Sequence, residues 1–135
     1  MPQLFDASSL ANLITRRGGE ALYLLKNNYI LDLTVYEVGN ALWRMHAIKK
    51  LSASDVEALM DVMADLVGRI NMVSVSDLDI VEIMKLAADK GITFYDAAYV
   101  TAAKLKKLTL ITDDPKLAEV ASKLVKVKNS RELRA

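Results

Sequence analysis

The chain has no cysteine, a single histidine (His46) and no long uncharged apolar run. Without cysteine the protein forms no disulfide, no thiolate nucleophile and no Cys-ligated zinc site. One histidine excludes sites that need two imidazoles, such as the zinc-protease motif. A membrane span needs roughly 18 apolar residues, and Asp6 precedes any apolar stretch that a secretory signal would require. We therefore expect a cytoplasmic protein whose chemistry rests on carboxylates, hydroxyls and metal ions.

Size and composition predict one folded domain. The chain has 135 residues, of which 53% are hydrophobic and 26% charged. This balance differs from that of a disordered chain and allows one buried core. We predict a single domain over residues 1–135 with a loose tail from about residue 129. The formal net charge of +1 argues, taken alone, against a protein that coats nucleic acid non-specifically.

Short apolar runs alternate with longer amphipathic patterns. The runs predict strands over residues 3–5, 30–33, 71–75, 108–111 and 124–127. Most are rich in Leu, Ile and Val, as in strands covered on both faces. The clearest helix is predicted over residues 54–70, where apolar side chains recur at helical spacing. Repeated strand–helix units of this kind predict an α/β domain with a mainly parallel sheet.

Acidic residues fall where strands give way to helices. Asp6 follows the first predicted strand, Glu37 lies in the helix after the second, and Asp113 and Asp114 follow the fourth. Asp96 joins them if the start of its helix meets the same edge of the sheet. Ligands of open parallel sheets bind at the edge formed by the carboxyl ends of the strands, where these acids are expected. Clustered carboxylates repel one another unless a cation neutralises them, and all-oxygen ligands suit Mg²⁺ or Mn²⁺.

Helix capping is the alternative explanation of each acid. Residues 34–37 read as a T-x-x-E capping box and residues 93–96 as its Asp-containing relative. Asp6 and Asp114 both have the pattern of an N-cap, the latter followed by Pro115. Taken singly, each acid is explained more simply by capping than by catalysis. The possible convergence of several acids is what favours a site.

Four segments resemble the PIN-domain ribonucleases, in particular the VapC-type toxins of prokaryotic toxin–antitoxin pairs. The segments are LFDASSL (4–10), EVGNALWR (37–44), TFYDAAY (93–99) and LITDD (110–114). Each alone is weak, but all four occur in order and with suitable spacing. Together with the chain length, they extend the resemblance over nearly the whole sequence.

The resemblance implies a role for several residues. Asp6, Glu37, Asp96 and Asp114 match the acidic quartet that holds one or two divalent ions, Mg²⁺ or Mn²⁺. Ser8, Asn40 and Thr112 match supporting positions. The adjacent residues Asp113 and Asp114 leave two alternatives for the last acid of the quartet. The T-x-D pattern selects Asp114, while Asp113 can assist or substitute.

The resemblance also implies fold, activity and partners. The expected fold is a three-layer α/β/α domain with a five-stranded parallel sheet. The expected activity is metal-dependent endoribonuclease hydrolysis of RNA through metal-activated water, in a homodimeric toxin inhibited by a cognate, VapB-like antitoxin. Residues 97–135 carry nine basic and four acidic side chains, a charge balance that suits contact with RNA backbone or simply a solvated face.

Two other functions compete with this one. The first is a PIN-like module without catalysis that binds RNA or protein, against which the intact quartet argues. The second is a receiver-type phosphoacceptor domain, which shares a five-stranded plan and an acidic Mg²⁺ site. Such domains have an acidic pair after their first strand, whereas Ala7 follows Asp6 here.

Overall fold

The computed structural model describes residues 2–133, and within that range it contains one sheet of five short parallel strands. The strands are β1 (Gln3–Phe5), β2 (Tyr29–Leu31), β3 (Asn71–Val73), β4 (Thr109–Ile111) and β5 (Val127–Lys128). Their order across the sheet is β3-β2-β1-β4-β5, and all neighbouring pairs are parallel. The predicted five-stranded parallel sheet is confirmed.

Helices connect the strands. They are α1 (Ala7–Arg17), α2 (Ala21–Leu25), α3 (Asp32–Ala47), α4 (Ala53–Val67), α5 (Ile80–Lys90), α6 (Phe94–Lys106) and α7 (Pro115–Ala121). The helix predicted over residues 54–70 corresponds to α4, which Ser52 caps and which ends at Gly68. None of the helices between residues 2 and 133 is long and apolar enough to cross a membrane.

Side chains along each strand alternate between the two faces of the sheet. Phe5 and Ile111 lie in a core formed with α1 to α4. Their neighbours Leu4 and Leu110 lie in a second core formed with α5 to α7. All four are fully buried, because successive strand residues point to opposite faces and helices cover both. The predicted three-layer α/β/α arrangement follows.

Strand β1 lies where the chain reverses direction across the sheet. The chain adds β2 and β3 on one side of β1 and then returns to add β4 and β5 on the other. Ligands of open parallel sheets bind beyond the carboxyl ends of the strands at such a reversal. Asp6 directly follows β1 and therefore occupies the position at which the fold itself favours a site.

Several predicted boundaries are wrong. The helix predicted over residues 54–70 ends at Val67, and the strand predicted over residues 71–75 ends at Val73. Strand β2 ends at Leu31 and α3 begins at Asp32, so Thr34 lies inside the first turn of the helix. The T-x-x-E capping box predicted over residues 34–37 is therefore absent. The strand predicted over residues 124–127 starts only at Val127, because residues 124 and 125 complete a turn in which both amides donate to the Ala121 carbonyl.

The end of the chain is held more firmly than predicted. Ser130 and Leu133 are buried, and Ser130–Glu132 form a short 3-10 helix capped by Asn129. The amide and the hydroxyl of Ser130 both donate to the Asp113 carboxylate. The prediction of a loose tail is therefore wrong for residues 129–133, and residues 134 and 135 lie outside the described residues.

Gly91 ends α5 in the left-handed conformation, with φ 65°. We expect Gly91→Ala to lower the free energy of unfolding by about 1 kcal/mol, because a Cβ disfavours this backbone conformation. The matched control is Gly68→Ala, which ends α4 at φ −76° and whose added Cβ would meet its nearest neighbour, the Asp65 carbonyl, at 3.7 Å. Urea denaturation should show little change in the free energy of unfolding of Gly68→Ala. Equal losses in both variants would contradict the explanation.

Candidate active site

Four acidic residues lie at the carboxyl edge of the sheet. Asp6 follows β1, and Asp114 follows β4, which pairs directly with β1. Glu37 lies early in α3, directly after β2. Asp96 lies in the first turn of α6. Because α6 leads into β4, its N-terminus returns to the same edge as the carboxyl ends of the strands. The four acids therefore share one end of the sheet.

Asp6 is the most enclosed of the four acids, with 4% of its surface exposed. Its Oδ1 accepts hydrogen bonds from the Ser8 hydroxyl (2.8 Å), the Ser9 amide (2.9 Å) and the Ser9 hydroxyl (2.9 Å). Its Oδ2 accepts from the Thr112 hydroxyl. Asp6 is also the N-cap of α1, as predicted. Its carboxylate is thus held in one orientation by donors from α1 and from the end of β4.

Within the described residues, no basic side chain forms an ion pair with the Asp6 carboxyl group. Burial raises the pKa of Asp6 above its ordinary value of 3.8, and the hydrogen bonds from Thr112, Ser9 and Ser8 offset this only in part. The ion pairs found between residues 2 and 133 lie elsewhere, at Arg69–Asp65 and Lys90–Asp89. A buried carboxylate without a cation is costly, and this is the condition that a bound cation relieves.

Asp114 joins the site through β4 and α7. Its Oδ1 accepts from the Lys116 amide (2.9 Å) and the Leu117 amide (3.4 Å), so it is the N-cap of α7 with Pro115 at the first helical position. Its own amide donates to the Thr112 hydroxyl (3.2 Å), which in turn donates to Asp6. The predicted cap is confirmed, and Thr112 links the first and last acids of the quartet.

Glu37 receives a hydrogen bond that the sequence did not suggest. The buried Tyr99 hydroxyl donates to its Oε1 at 2.7 Å. Burial raises the pKa of Glu37, the bond from Tyr99 lowers it, and the charges of Asp96 and Asp6 raise it further, with a net increase. Burial makes the largest contribution to the pKa of Glu37, and the charges of Asp96 and Asp6 contribute less.

Asp96 is partly buried and is affected by other acids of the group. Thr93 caps α6 by accepting from the Asp96 amide (3.0 Å), as predicted. Burial raises the pKa of Asp96, and the charges of Asp114 and Asp6 raise it further; Thr93 and the positive charge of Lys116 oppose the change. Lys116 is the basic residue whose charge lowers the pKa of Asp96.

Asp113 differs from its neighbour Asp114 in its environment. Its carboxylate accepts from the amide and hydroxyl of Ser130 and from the Asn12 side chain (2.8 Å). Burial acts to raise the pKa of Asp113, but these hydrogen bonds and the charge of Arg16 lower it on balance. Both oxygens are used to fasten the chain end to α1. The structure thus gives Asp113 a structural role.

The predicted supporting residues also differ from one another in their contacts with the acids. The Ser8 hydroxyl donates to Asp6 and accepts from the Asp113 amide (3.0 Å). Asn40 is exposed in α3, and residues 2–133 offer its side chain no hydrogen bond. The supporting role of Asn40 stays a prediction, whereas Ser8 and Thr112 directly contact the central carboxylate.

The four acids supply the oxygen ligands that a divalent cation prefers, but they are not arranged as a closed metal site. No group of three acidic or histidine side chains in the described part of the chain is arranged to hold a metal ion. The donor set itself fits Mg²⁺ or Mn²⁺, because it consists of carboxylate oxygens in a partly buried, anionic environment. The carboxylates of Asp6 and Glu37 are instead hydrogen-bonded to neighbouring hydroxyls.

Three contributing residues escaped the sequence analysis. They are Ser9, Thr34 and Tyr99, all of which are buried and bonded within the site. Helical spacing carries a usable signal for two of them. Ser9 lies three residues after Asp6, and Tyr99 lies three residues after Asp96, so each shares a helix face with an acid. No comparable pattern marks Thr34, whose importance depends on contact with a distant helix.

Comparison with known proteins places the chain in a family. A family model described as PIN domain matches residues 4–123, and the chain belongs to the PIN domain family. Exonuclease VapC9 of Pyrobaculum aerophilum is 33% identical over 108 residues, covering 72% of this chain and 77% of the relative. Ribonuclease VapC3 of the same organism is 30% identical over 131 residues, covering 93% and 98%. The suggested resemblance to VapC-type PIN proteins is confirmed.

Solved structures agree with the fold. PAE2754 from Pyrobaculum aerophilum superposes with a TM-score of 0.78 at 27% identity, covering 97% of this chain and 85% of that one. FitAcB from Neisseria gonorrhoeae superposes with a TM-score of 0.58 at 21% identity, covering 96% and 99%. The second likeness concerns the fold alone.

The burial of Asp96, together with its repulsion from Asp114 and Asp6, has a measurable effect on stability. We expect Asp96→Asn to raise the free energy of unfolding of the metal-free protein at pH 7 by about 0.5 kcal/mol, a figure reduced for solvent screening. Because the folded-state pKa of Asp96 is raised above 3.8, wild-type stability falls as the pH rises past the unfolded value. The gain should therefore be complete at neutral pH and vanish below about pH 3.8.

Thermal unfolding in EDTA across this pH range measures the effect. Asp61→Asn, on the exposed side of α4, makes the same chemical change away from the other acids and should leave stability unchanged. A stability gain for Asp61→Asn that equals that of Asp96→Asn, or a gain for Asp96→Asn that grows at low pH, would contradict burial and repulsion of the Asp96 charge as the cause.

Proposed function

We propose that this chain is a Mg²⁺- or Mn²⁺-dependent endoribonuclease that acts as the toxin of a toxin–antitoxin pair. The observation that carries the proposal is the group of four carboxylates at the switch point of the sheet, of which Asp6, Glu37 and Asp96 have raised pKa values. Folding tolerates such a group at a cost, and cation binding removes that cost. The names of the two Pyrobaculum relatives, an exonuclease and a ribonuclease, support the same reaction class.

Asp6, Glu37, Asp96 and Asp114 would hold the ion or ions. A bound divalent cation lowers the pKa of a water molecule, orients it and neutralises charge on the phosphate. Asp6 suits the central position because four donors fix its carboxylate. Asp114 uses Oδ1 to cap α7, so its Oδ2 is the oxygen available to the site. No side-chain nucleophile is required, in accord with a chain that lacks cysteine.

RNA is the proposed substrate, held through its phosphates. Residues 97–135 carry a net charge of +5, while residues 1–96 carry −4. Lys116 lies close enough to lower the pKa of Asp96 and is exposed at the start of α7. A basic side chain at this place can contact a phosphate beside the acidic group, because phosphate contacts supply most of the affinity for nucleic acid.

The proposed partners are a VapB-like antitoxin and a second copy of the chain, within the cytoplasm. An apolar groove of about 270 Å³ opens beside the acids and is lined by Tyr36, Val75 and Tyr95, among others. These three side chains are 46–78% exposed, and Ile80 and Met84 of α5 are each 57% exposed. Exposed apolar side chains of this kind are typical of a protein interface.

Removing the central carboxylate should abolish cleavage. We expect Asp6→Asn to lower the rate of RNA cleavage in Mn²⁺ at least 100-fold, since the amide keeps the helix cap but loses the charge. The control Asp65→Asn, on α4 away from the site, should cleave at the wild-type rate. EDTA should stop the wild-type reaction and Mn²⁺ should restore it.

The substrate for this assay is a circular RNA of mixed sequence beside its linear form. Cleavage of both indicates an endonuclease, whereas cleavage of the linear form alone would overturn the endonuclease part of the proposal in favour of an exonuclease. If wild type and Asp6→Asn both leave the RNA intact in Mn²⁺, the chain is a binding module of the PIN fold and the enzymatic proposal fails.

The dimer has its own test. We expect Met84→Glu to convert a dimer into a monomer in light scattering at micromolar concentration, because it places a charge in an apolar interface. Met60→Glu on α4, where Met60 is 37% exposed, is the matched control and should remain dimeric. A monomeric wild-type protein would contradict the proposed dimer while leaving the nuclease proposal intact.

A further inference from the structure

We propose that Tyr99 is a positioning residue for Glu37, and that Thr34 fixes the direction in which the Tyr99 hydroxyl donates. The inference rests on the proposed function in so far as Glu37 serves the acidic site. It concerns two buried side chains, Tyr99 on α6 and Thr34 on α3. Thr34 also accepts from the amide of Leu31, the N-cap of α3, and this capping bond leaves its own proton free for a further acceptor.

The hydrogen bonds form a chain with one direction. The Leu31 amide donates to the Thr34 hydroxyl oxygen at 3.0 Å. Thr34 and Tyr99 hydroxyls lie 2.8 Å apart, and Tyr99 donates to Glu37 Oε1 at 2.7 Å. A tyrosine hydroxyl has one proton, which is committed to Glu37. Thr34 must therefore donate to Tyr99, so each donor in the chain has one acceptor.

This series of hydrogen bonds opposes the repulsion acting on Glu37. Asp6 and Asp96 both raise the pKa of Glu37 through their charges and would turn a free glutamate toward solvent. Tyr99 and Thr34 have 1% and 0% of their surfaces exposed, and their positions are set by packing. A bond from a fixed hydroxyl thus keeps the Glu37 carboxylate at the site, where hydrogen bonds to ligating carboxylates are the usual means of orienting them.

Tyr99 also ties Glu37 to Asp96. The two residues Asp96 and Tyr99 are three apart on α6 and share one helix face, while Glu37 belongs to α3. The bond at Oε1 leaves Oε2 of Glu37 to face a ligand. One rigid helix therefore carries one acid of the quartet and holds a second acid, which fixes the separation of the two.

Crystal structures of metal-free wild type and Tyr99→Phe test the positioning directly. We expect the Glu37 side chain to occupy one conformation in the wild type and several, or a displaced one, in Tyr99→Phe. Tyr95→Phe removes the same atom one turn earlier on α6, where Tyr95 is 54% exposed, and should leave Glu37 in place. An unmoved Glu37 in Tyr99→Phe would overturn the inference whether or not the protein binds metal.

Mn²⁺ binding, followed by the EPR signal of the free ion, supplies the second readout. We expect Tyr99→Phe to weaken Mn²⁺ binding about 10–100-fold and Tyr95→Phe to leave it unchanged. In a Glu37→Ala background, Tyr99→Phe should weaken binding less than about twofold, because a residue that acts through Glu37 has nothing left to position. Equal losses in both backgrounds would overturn the inference and indicate a general loss of structure.

The two proposals fail in different ways. A wild-type protein that binds no Mn²⁺ and cleaves no RNA refutes the proposed function, and the crystal structures still decide the positioning role. If Tyr99→Phe does not fold, Thr34→Ala read against Thr34→Ser replaces it. Loss of the single Glu37 conformation in Thr34→Ala and its retention in Thr34→Ser support the inference, and an unchanged Glu37 in both variants overturns it.

Discussion

One buried carboxylate, that of Asp6, determines how this end of the molecule is built. Its burial at the end of the central strand is unfavourable for a charge, and four hydrogen bonds from α1 and β4 offset part of that cost. Those bonds require Ser8, Ser9 and Thr112 to converge on one side chain. The start of α1, the end of β4 and the residues that follow each are consequently fixed relative to one another by a single anion.

The caps formed by Asp6 and Asp114 are compatible with the proposed site. Asp6 and Asp114 each use Oδ1 to accept from the first amides of a helix. Each side chain has a second oxygen, which in Asp6 meets Thr112. A carboxylate can therefore end one structural element and serve a ligand at once. The cap fixes the side-chain rotamer, which is the preorganisation that a binding site needs.

The parts that local pattern controls were predictable. The five strands and the caps at Asp6, Thr93 and Asp114 follow from short-range sequence, although the ends of several elements, among them β2, β3 and α4, were misplaced. The bond between Tyr99 and Glu37 joins residues 62 apart in sequence and connects two helices whose buried residues belong to different cores. The Asp113–Asp114 doublet was ambiguous for a similar reason, because the bonds that distinguish Asp113 come from Ser130 and Asn12, of which Asn12 is 101 residues away in sequence.

The link between Asp6 and Thr112 spans 106 residues, and this separation has a consequence for synthesis. The first acid of the group emerges from the ribosome long before the strand that orients it. Contacts so distant in sequence form late, because the intervening chain must first be closed into a loop. The hydrogen bond from Ser130 to Asp113 forms only after a further seventeen residues have been made. The acidic site is thus completed only when almost the entire chain is available, so an unfinished chain carries the acids without their arrangement.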